Sequence, residues 1–163
     1  MNTRLDSYWK IYQAKQELIR FADTKATAIL AVDGVIAGLY FSNIDTIKTV
    51  LQHDFTASIP LVATMGFILI SIIASALCII PRLKSTSNCP IYFCDIATNY
   101  KNADEYQNAM KKKKPKDMQQ ALLSQIYIIS KIAKKKHSLV QWVVIFFVKA
   151  IIASTIFAIL VIF

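Results

Sequence analysis

Three stretches of the chain are too apolar for water. The first, residues 26–41, follows the charged lead-in of Asp23 and Lys25 and is interrupted only by Asp33. The second, Phe55 to Pro81, carries no charged side chain, and the third, Ser138 to Phe163, carries only Lys149. An α-helix crosses the ~30 Å hydrocarbon core of a bilayer in roughly 20 residues. The second and third runs reach that length alone, and the first reaches it if its helix starts upstream. Leu5, Tyr8, Trp9, Tyr12, Ile19 and Ala22 recur at helical spacing before it, with no Pro or Gly to stop them. The pattern predicts one continuous helix from Asp6 to Tyr40.

Ser42, Asn43 and Asp45 end that helix, and residues 42–58 read as an external loop in which His53 is solvated. Gly66, Ser71 and Ser75 offer close-packing positions in the second span, and Pro81 and Arg82 end it. Lys84 to Pro90 is turn-like, and Ile91, Tyr92, Phe93 and Ile96 form a small apolar cluster. Asn102, followed three residues later by Glu105, has the form of a capping box for a short helix. Pro115 marks a break after it. Asp117 with Gln120 then caps a helix carrying Leu122, Ile126, Ile129 and Ile132, expected to run from Met118 to about Leu160, roughly 60 Å at 1.5 Å per residue.

The predicted fold is an all-α membrane protein with three transmembrane helices, at 26–41, 59–80 and 139–163. Residues 1–25 form a cytoplasmic amphipathic helix and residues 81–138 a basic, helical cytoplasmic region. These long helical extensions make a small cytoplasmic domain. No internal repeat is visible, and no apolar segment follows a basic start in the manner of a cleaved signal peptide.

Charge fixes the expected orientation. The 163 residues are 55% hydrophobic, yet carry a formal net charge of +9. Of the 19 Lys and Arg, five lie in residues 1–25 and twelve in 82–138. With three spans these segments share one side, which the positive-inside rule makes cytoplasmic. The N-terminus is then expected in the cytoplasm, and the C-terminus outside.

Enzyme signatures are missing. There is no phosphate-binding glycine loop, nucleophile elbow or zinc-ligand spacing, so neither a catalytic residue nor a metal is expected. Cys78, Cys89 and Cys94 read as reduced thiols. His137 reads as an interfacial residue. Two other features carry information. Asp33, inside a span, is costly unless paired or functional; it is expected either to meet Lys149 or to line a pore. Ala31, Gly34 and Gly38, with Thr27 below, form a small-residue stripe suited to packing a homo-oligomer, most simply a tetramer.

The second feature is the lysine surplus. Residues 82–138 hold twelve basic and four acidic residues. One reading is insertion and attraction to anionic lipid. The other is an anion site for a polyanion's phosphates, formed by Lys111, Lys112, Lys113, Lys114, Lys116, Lys131, Lys134, Lys135 and Lys136. Tyr92, Phe93, Tyr106 and Tyr127 are candidates for stacking on bases.

Several segments together resemble a known family. They are the F-A-D-T-K-A run (Phe21 to Ala26), the Pro-Arg after the second span, the I-Y-F…I cluster (Ile91 to Ile96) with Tyr106, and Q-I-Y-I-I-S-K-I (Gln125 to Ile132). In order and spacing the chain is similar to the membrane effectors of Pycsar antiphage defence. It departs in having Pro81-Arg82 where Arg-Pro is expected, and in a denser lysine run. The resemblance implies an effector, silent until infection, that then compromises the inner membrane as a nucleotide-gated oligomeric channel. It leaves two modes. A cyclic pyrimidine mononucleotide from a partner cyclase opens the channel. Alternatively, as in the similarly shaped Hailong-type effectors, a short single-stranded oligonucleotide from a nucleotidyltransferase holds it closed. The many lysines favour the second mode. A different class stays open: a structural membrane protein that recruits a cytoplasmic partner. No cofactor beyond the nucleotide ligand is expected.

Overall fold

The computed structural model describes residues 3–53, 56–81 and 89–162, and every regular element among them is a helix. Helix α1 is Thr3–Ser42, α2 Ile44–His53, α3 Ser58–Ile79, α4 Phe93–Asn99, α5 Ala103–Lys112 and α6 Pro115–Ile162. Three of them, α1, α3 and α6, are long and apolar enough to cross a membrane. The all-α fold with three membrane-length helices is as the hydropathy pattern predicts, and α1 and α6 are unbroken.

Two boundaries differ from expectation. The loop predicted at 42–58 contains a helix, α2, because Ile44, Ile47 and Leu51 recur at helical spacing; Ile47 is buried among Ala57, Leu61 and Phe157. The side chain of His53 lies outside the described residues, as do Arg82 and residues 84–88 of the turn-like stretch Lys84 to Pro90. Helix α6 starts earlier than Met118. Pro115 is its first residue, where a missing N–H costs nothing, and the Asp117 carboxylate accepts the Lys114 N–H at 3.1 Å. The proline thus begins the helix instead of interrupting it.

The cap at α5 is as read. The Asn102 side chain accepts the Glu105 N–H at 2.8 Å, and Glu105 reaches back to the Lys101 N–H at 2.9 Å. This closes the helix start from both directions, one residue beyond the usual partner.

The chain divides into two compact units. The lysine-rich unit comprises residues 1–20 and 81–135, and the membrane unit residues 21–80 and 136–163. In the lysine-rich unit Tyr12, Leu122 and Ile129 form the core, with Leu5, Tyr8, Ile19, Ile91 and Ile126 against it. Trp9 is half-exposed and stacks on Tyr12 at 5.3 Å between ring centroids. The Asp95 carboxylate accepts the Cys89 N–H at 2.8 Å, and the Tyr106 hydroxyl donates to the Pro90 carbonyl at 2.8 Å, which together fix the turn before α4.

In the membrane unit the buried face of α3 is Leu61, Thr64, Ile68, Ser71, Ser75 and Cys78, alternating steps of three and four. The opposite face shows Ile59, Val62, Leu69, Ile73 and Leu77 to the surroundings. The buried face holds Thr64, Ser71, Ser75 and Cys78 alongside Leu61 and Ile68, while the outward face is large and aliphatic, as packing in lipid favours. Gly66 takes no part: it is exposed, and a Cβ built on it would meet nothing within 4 Å.

Candidate functional site

The lysine run occupies the α5–α6 corner of the lysine-rich unit. Lys111 and Lys112 are the last residues of α5, where cations suit the negative end of the helix dipole. Lys113 is the C-cap and half-buried; Lys111, Lys112, Lys114 and Lys116 are exposed. Farther along α6, Lys131, Lys134 and Lys135 are exposed as well. Their charges are open to an anion.

Lys136 is different, and the sequence reading of it as a phosphate ligand needs correction. It is buried in the membrane unit, where its ammonium is paired with the Asp23 carboxylate. Consecutive helical residues point about 100° apart at 3.6 residues per turn, so Lys134, Lys135 and Lys136 cannot all face one way. The Cys78 thiol donates to the Lys136 carbonyl at 3.8 Å, and Ala22, Ala26, Cys78 and Val140 close around this level. The F-A-D-T-K-A segment therefore packs α1 through its two alanines and ties it to α6 through Asp23.

The four aromatic candidates separate by exposure. Phe93 and Tyr127 are 63% and 62% exposed, with room for a stacked base. Lys131 sits over the Tyr127 ring, 4.4 Å from its centroid, so a cation and an aromatic face are presented together. Tyr106 is committed to the fold through Pro90 and an edge contact with Tyr100. Tyr92 packs on Phe93 at 5.0 Å. Burial, then Cys94 and the negative charge of Asp95, push the Tyr92 hydroxyl up to about 12. Burial also raises Tyr12, against the pull of a hydrogen bond with Gln16. Both phenols are held neutral at physiological pH.

Asp33 is completely buried, and Ser71 donates to its Oδ2 at 2.6 Å. Its Oδ1 and the Ser75 hydroxyl are buried with no hydrogen-bond partner among the described residues. The expected contact with Lys149 does not form within one chain. Lys149 is exposed, with its ammonium 5.5 Å and 5.8 Å from the ring centroids of Phe146 and Phe67. The nearer hydroxyl of α3 takes the place the lysine was expected to fill. Ser71 suits close packing by its small size, and its donor capacity is the signal in the sequence for an acid's partner.

The small-residue stripe points away from the chain's own packing. Thr27, Ala31, Gly34 and Gly38 are all exposed, and a Cβ on either glycine would meet nothing within 4 Å. Among the described residues no group of three or more His, Cys, Asp or Glu side chains gathers where a metal could bind.

Sequence similarity to known proteins extends along nearly the whole chain. The family described as the Pycsar effector protein domain matches residues 7–163. The Pycsar effector protein SaPycTM of Staphylococcus aureus is 33% identical over 143 residues, 86% of this chain and 85% of that protein. No solved structure matches.

Proposed function

We propose, from the premise that this chain belongs to the Pycsar effector family, that it is an oligomeric channel of the bacterial inner membrane opened by an anionic nucleotide bound to its lysine-rich unit. A membrane effector of antiphage defence needs a signal to read and a membrane to breach. The observation that carries the nucleotide reading is the exposed Tyr127 ring with Lys131 over it, on the same unit as the exposed lysine corner. A base can stack on the ring while its phosphate meets the ammonium groups. A cyclic pyrimidine mononucleotide from a partner cyclase is the ligand this family membership favours. Copies would associate through Thr27, Ala31, Gly34 and Gly38, a face open in the single chain and shaped for close approach. The N-terminus would be cytoplasmic, on the side of most of the basic residues.

A second reading rests on the lysine corner. One cyclic mononucleotide carries a single negative charge, whereas Lys111, Lys112, Lys114 and Lys116 are all exposed. A short oligonucleotide would neutralise more of them, draw the copies' lysine-rich units together and hold the channel shut. Either ligand shifts the equilibrium only by its difference in affinity for the two states, and a swing from 99:1 to 1:99 needs about 5.5 kcal/mol.

The test is binding by the purified full-length protein, followed by ion flux from vesicles. Tyr127→Ala is expected to weaken nucleotide binding by about 1–3 kcal/mol, the usual contribution of one stacked base. Replacing Lys111 to Lys114 with Ala is expected to lower affinity and flatten its salt dependence. With ligand present, these variants leave flux off under the opening mode and on under the closing mode. Absence of binding to either nucleotide class at low salt would sink both modes.

A further inference from the structure

A cavity of about 420 Å³ lies at the α1–α2 corner of the membrane unit. Ile36, Leu39, Phe157 and Val161 wall it, Tyr40 and Ser154 flank it, and Asn43 and Thr46 form its polar end. Its volume falls within the range of roughly 300–1,000 Å³ typical of small-molecule pockets.

Several polar groups there are already engaged. The Tyr40 hydroxyl and Ser154 Oγ are 2.8 Å apart. The Asn43 amide donates to the Leu39 carbonyl at 2.9 Å and to Ser42 Oγ at 3.1 Å. What the cavity offers an occupant is mostly hydrocarbon surface, with Asn43 Oδ1 and the Thr46 hydroxyl at its polar end.

Its place in the fold says where such an occupant comes from. Helix α2 buries Ile47 and exposes Asp45 and Lys48, which pair at 3.4 Å. An amphipathic helix at the end of a span lies in the bilayer interface, and tyrosine is enriched at that level. On the span side of this corner, Leu39 is 60% and Val161 41% exposed. The cavity therefore has its apolar side toward the acyl chains and its polar end toward the headgroups.

We propose that this cavity binds one acyl chain of a phospholipid from the leaflet that the α1–α2 corner reaches, with the ester region level with Asn43 and Thr46. The proposal rests on the helices spanning a membrane and is independent of nucleotide gating, so neither failure implies the other.

The test uses the full chain in detergent micelles, titrated with a phosphatidylglycerol whose acyl chain bears a photoactivatable diazirine. Cross-links are mapped by peptide mass spectrometry. Labelling at Phe157 is expected to saturate at low lipid, while labelling at Val62, exposed on α3, rises in proportion to lipid as a non-specific reference. Filling the cavity by Ile36→Trp, or its polar end by Thr46→Trp, is expected to lower Phe157 labelling about tenfold, equivalent to about 1.4 kcal/mol of lost contact, with Val62 unaffected. If Phe157 labelling tracks Val62 without saturating, the chain only touches annular lipid and the site does not exist. Full Phe157 labelling in both well-folded Trp variants overturns it equally. Should either variant lose helicity, the saturation comparison in the unaltered protein decides alone.

Discussion

The two units of this chain differ most on their outer faces. In the lysine-rich unit Tyr12, Leu122 and Ile129 are buried, as are Asp95 and Gln125, and the outside carries Lys111, Lys112, Lys114, Lys116, Lys131, Lys134 and Lys135. In the membrane unit Asp33, Thr64, Ser71, Ser75 and Lys136 are buried, while Val62, Leu69, Ile73 and Leu77 face outward. Helices α1 and α6 contribute to both. The difference shows what each surrounding rewards. Water drives apolar surface inward. Lipid gives no such drive between helices, so packing and interhelical hydrogen bonds hold the unit and polar groups turn inward to find partners.

The largest effect that could break this contrast comes from the two kinds of leucine. Leu122 is 1% exposed and Leu69 is 59% exposed. Leu122→Ala removes core contacts and leaves a cavity, with an expected cost of about 2–5 kcal/mol. Leu69→Ala removes only contact with surrounding lipid, so little loss is expected. Thermal unfolding of both variants in detergent micelles measures this. Equal losses would mean that the outward face of α3 is covered by protein, which would itself count toward an oligomer interface there.

A smaller effect tests the polar interior of the membrane unit. Breaking a buried ion pair by removing one partner costs about 3–5 kcal/mol. Asp23 is 34% exposed, so solvent screens part of that loss, and about 2 kcal/mol is expected for Lys136→Ala. The double variant Asp23→Ala with Lys136→Ala is expected to lose less than the sum of the singles, because neither charge is then stranded. Strict additivity in the cycle would show that the two residues do not depend on each other. It would also return Lys136 to the set of free lysines.

Much of this architecture is legible in the residues themselves. The lengths of the apolar runs place the spans, the lack of Pro and Gly before Phe21 extends α1, and Asn102 with Glu105 marks α5. The helix at 44–53 is legible too, from Ile44, Ile47 and Leu51, although the polar residues between them read as a loop. The partners of charged side chains are harder to read. Nothing local distinguishes Lys136 from Lys135 and Lys134; only the rotation of α6, fixed by Val140 and Val143 packing inward, turns that lysine to Asp23. In the same way, Asp33 meets Ser71 across 38 residues of chain. A sequence shows that an intramembrane acid needs a partner, and the packing of helices decides which.

The smallest expected effect concerns pH and the turn before α4. Tyr92 is half-buried beside Cys94 and Asp95, and its hydroxyl is raised from 10.0 to about 12, chiefly by burial. The fold therefore favours the neutral phenol over the phenolate. A group whose folded pKa is raised contributes stability that is complete below its unfolded value and disappears as pH climbs through the folded value. The loss should fall between pH 10.0 and about 12, and it should be confined to the lysine-rich unit. Other groups also change charge at high pH, so the raw stability curve mixes several contributions. Tyr92→Phe separates them. The variant keeps the ring against Phe93, loses the titrating group, and shares every lysine with the parent. The difference between the two proteins should be flat below pH 10.0 and shift in favour of Tyr92→Phe above it. Hydrogen exchange of α4 and α5 amides, measured in both proteins across that window, reads the difference locally. A constant difference across the window would mean that Tyr92 ionises freely where it stands, and that the turn before α4 is open to water.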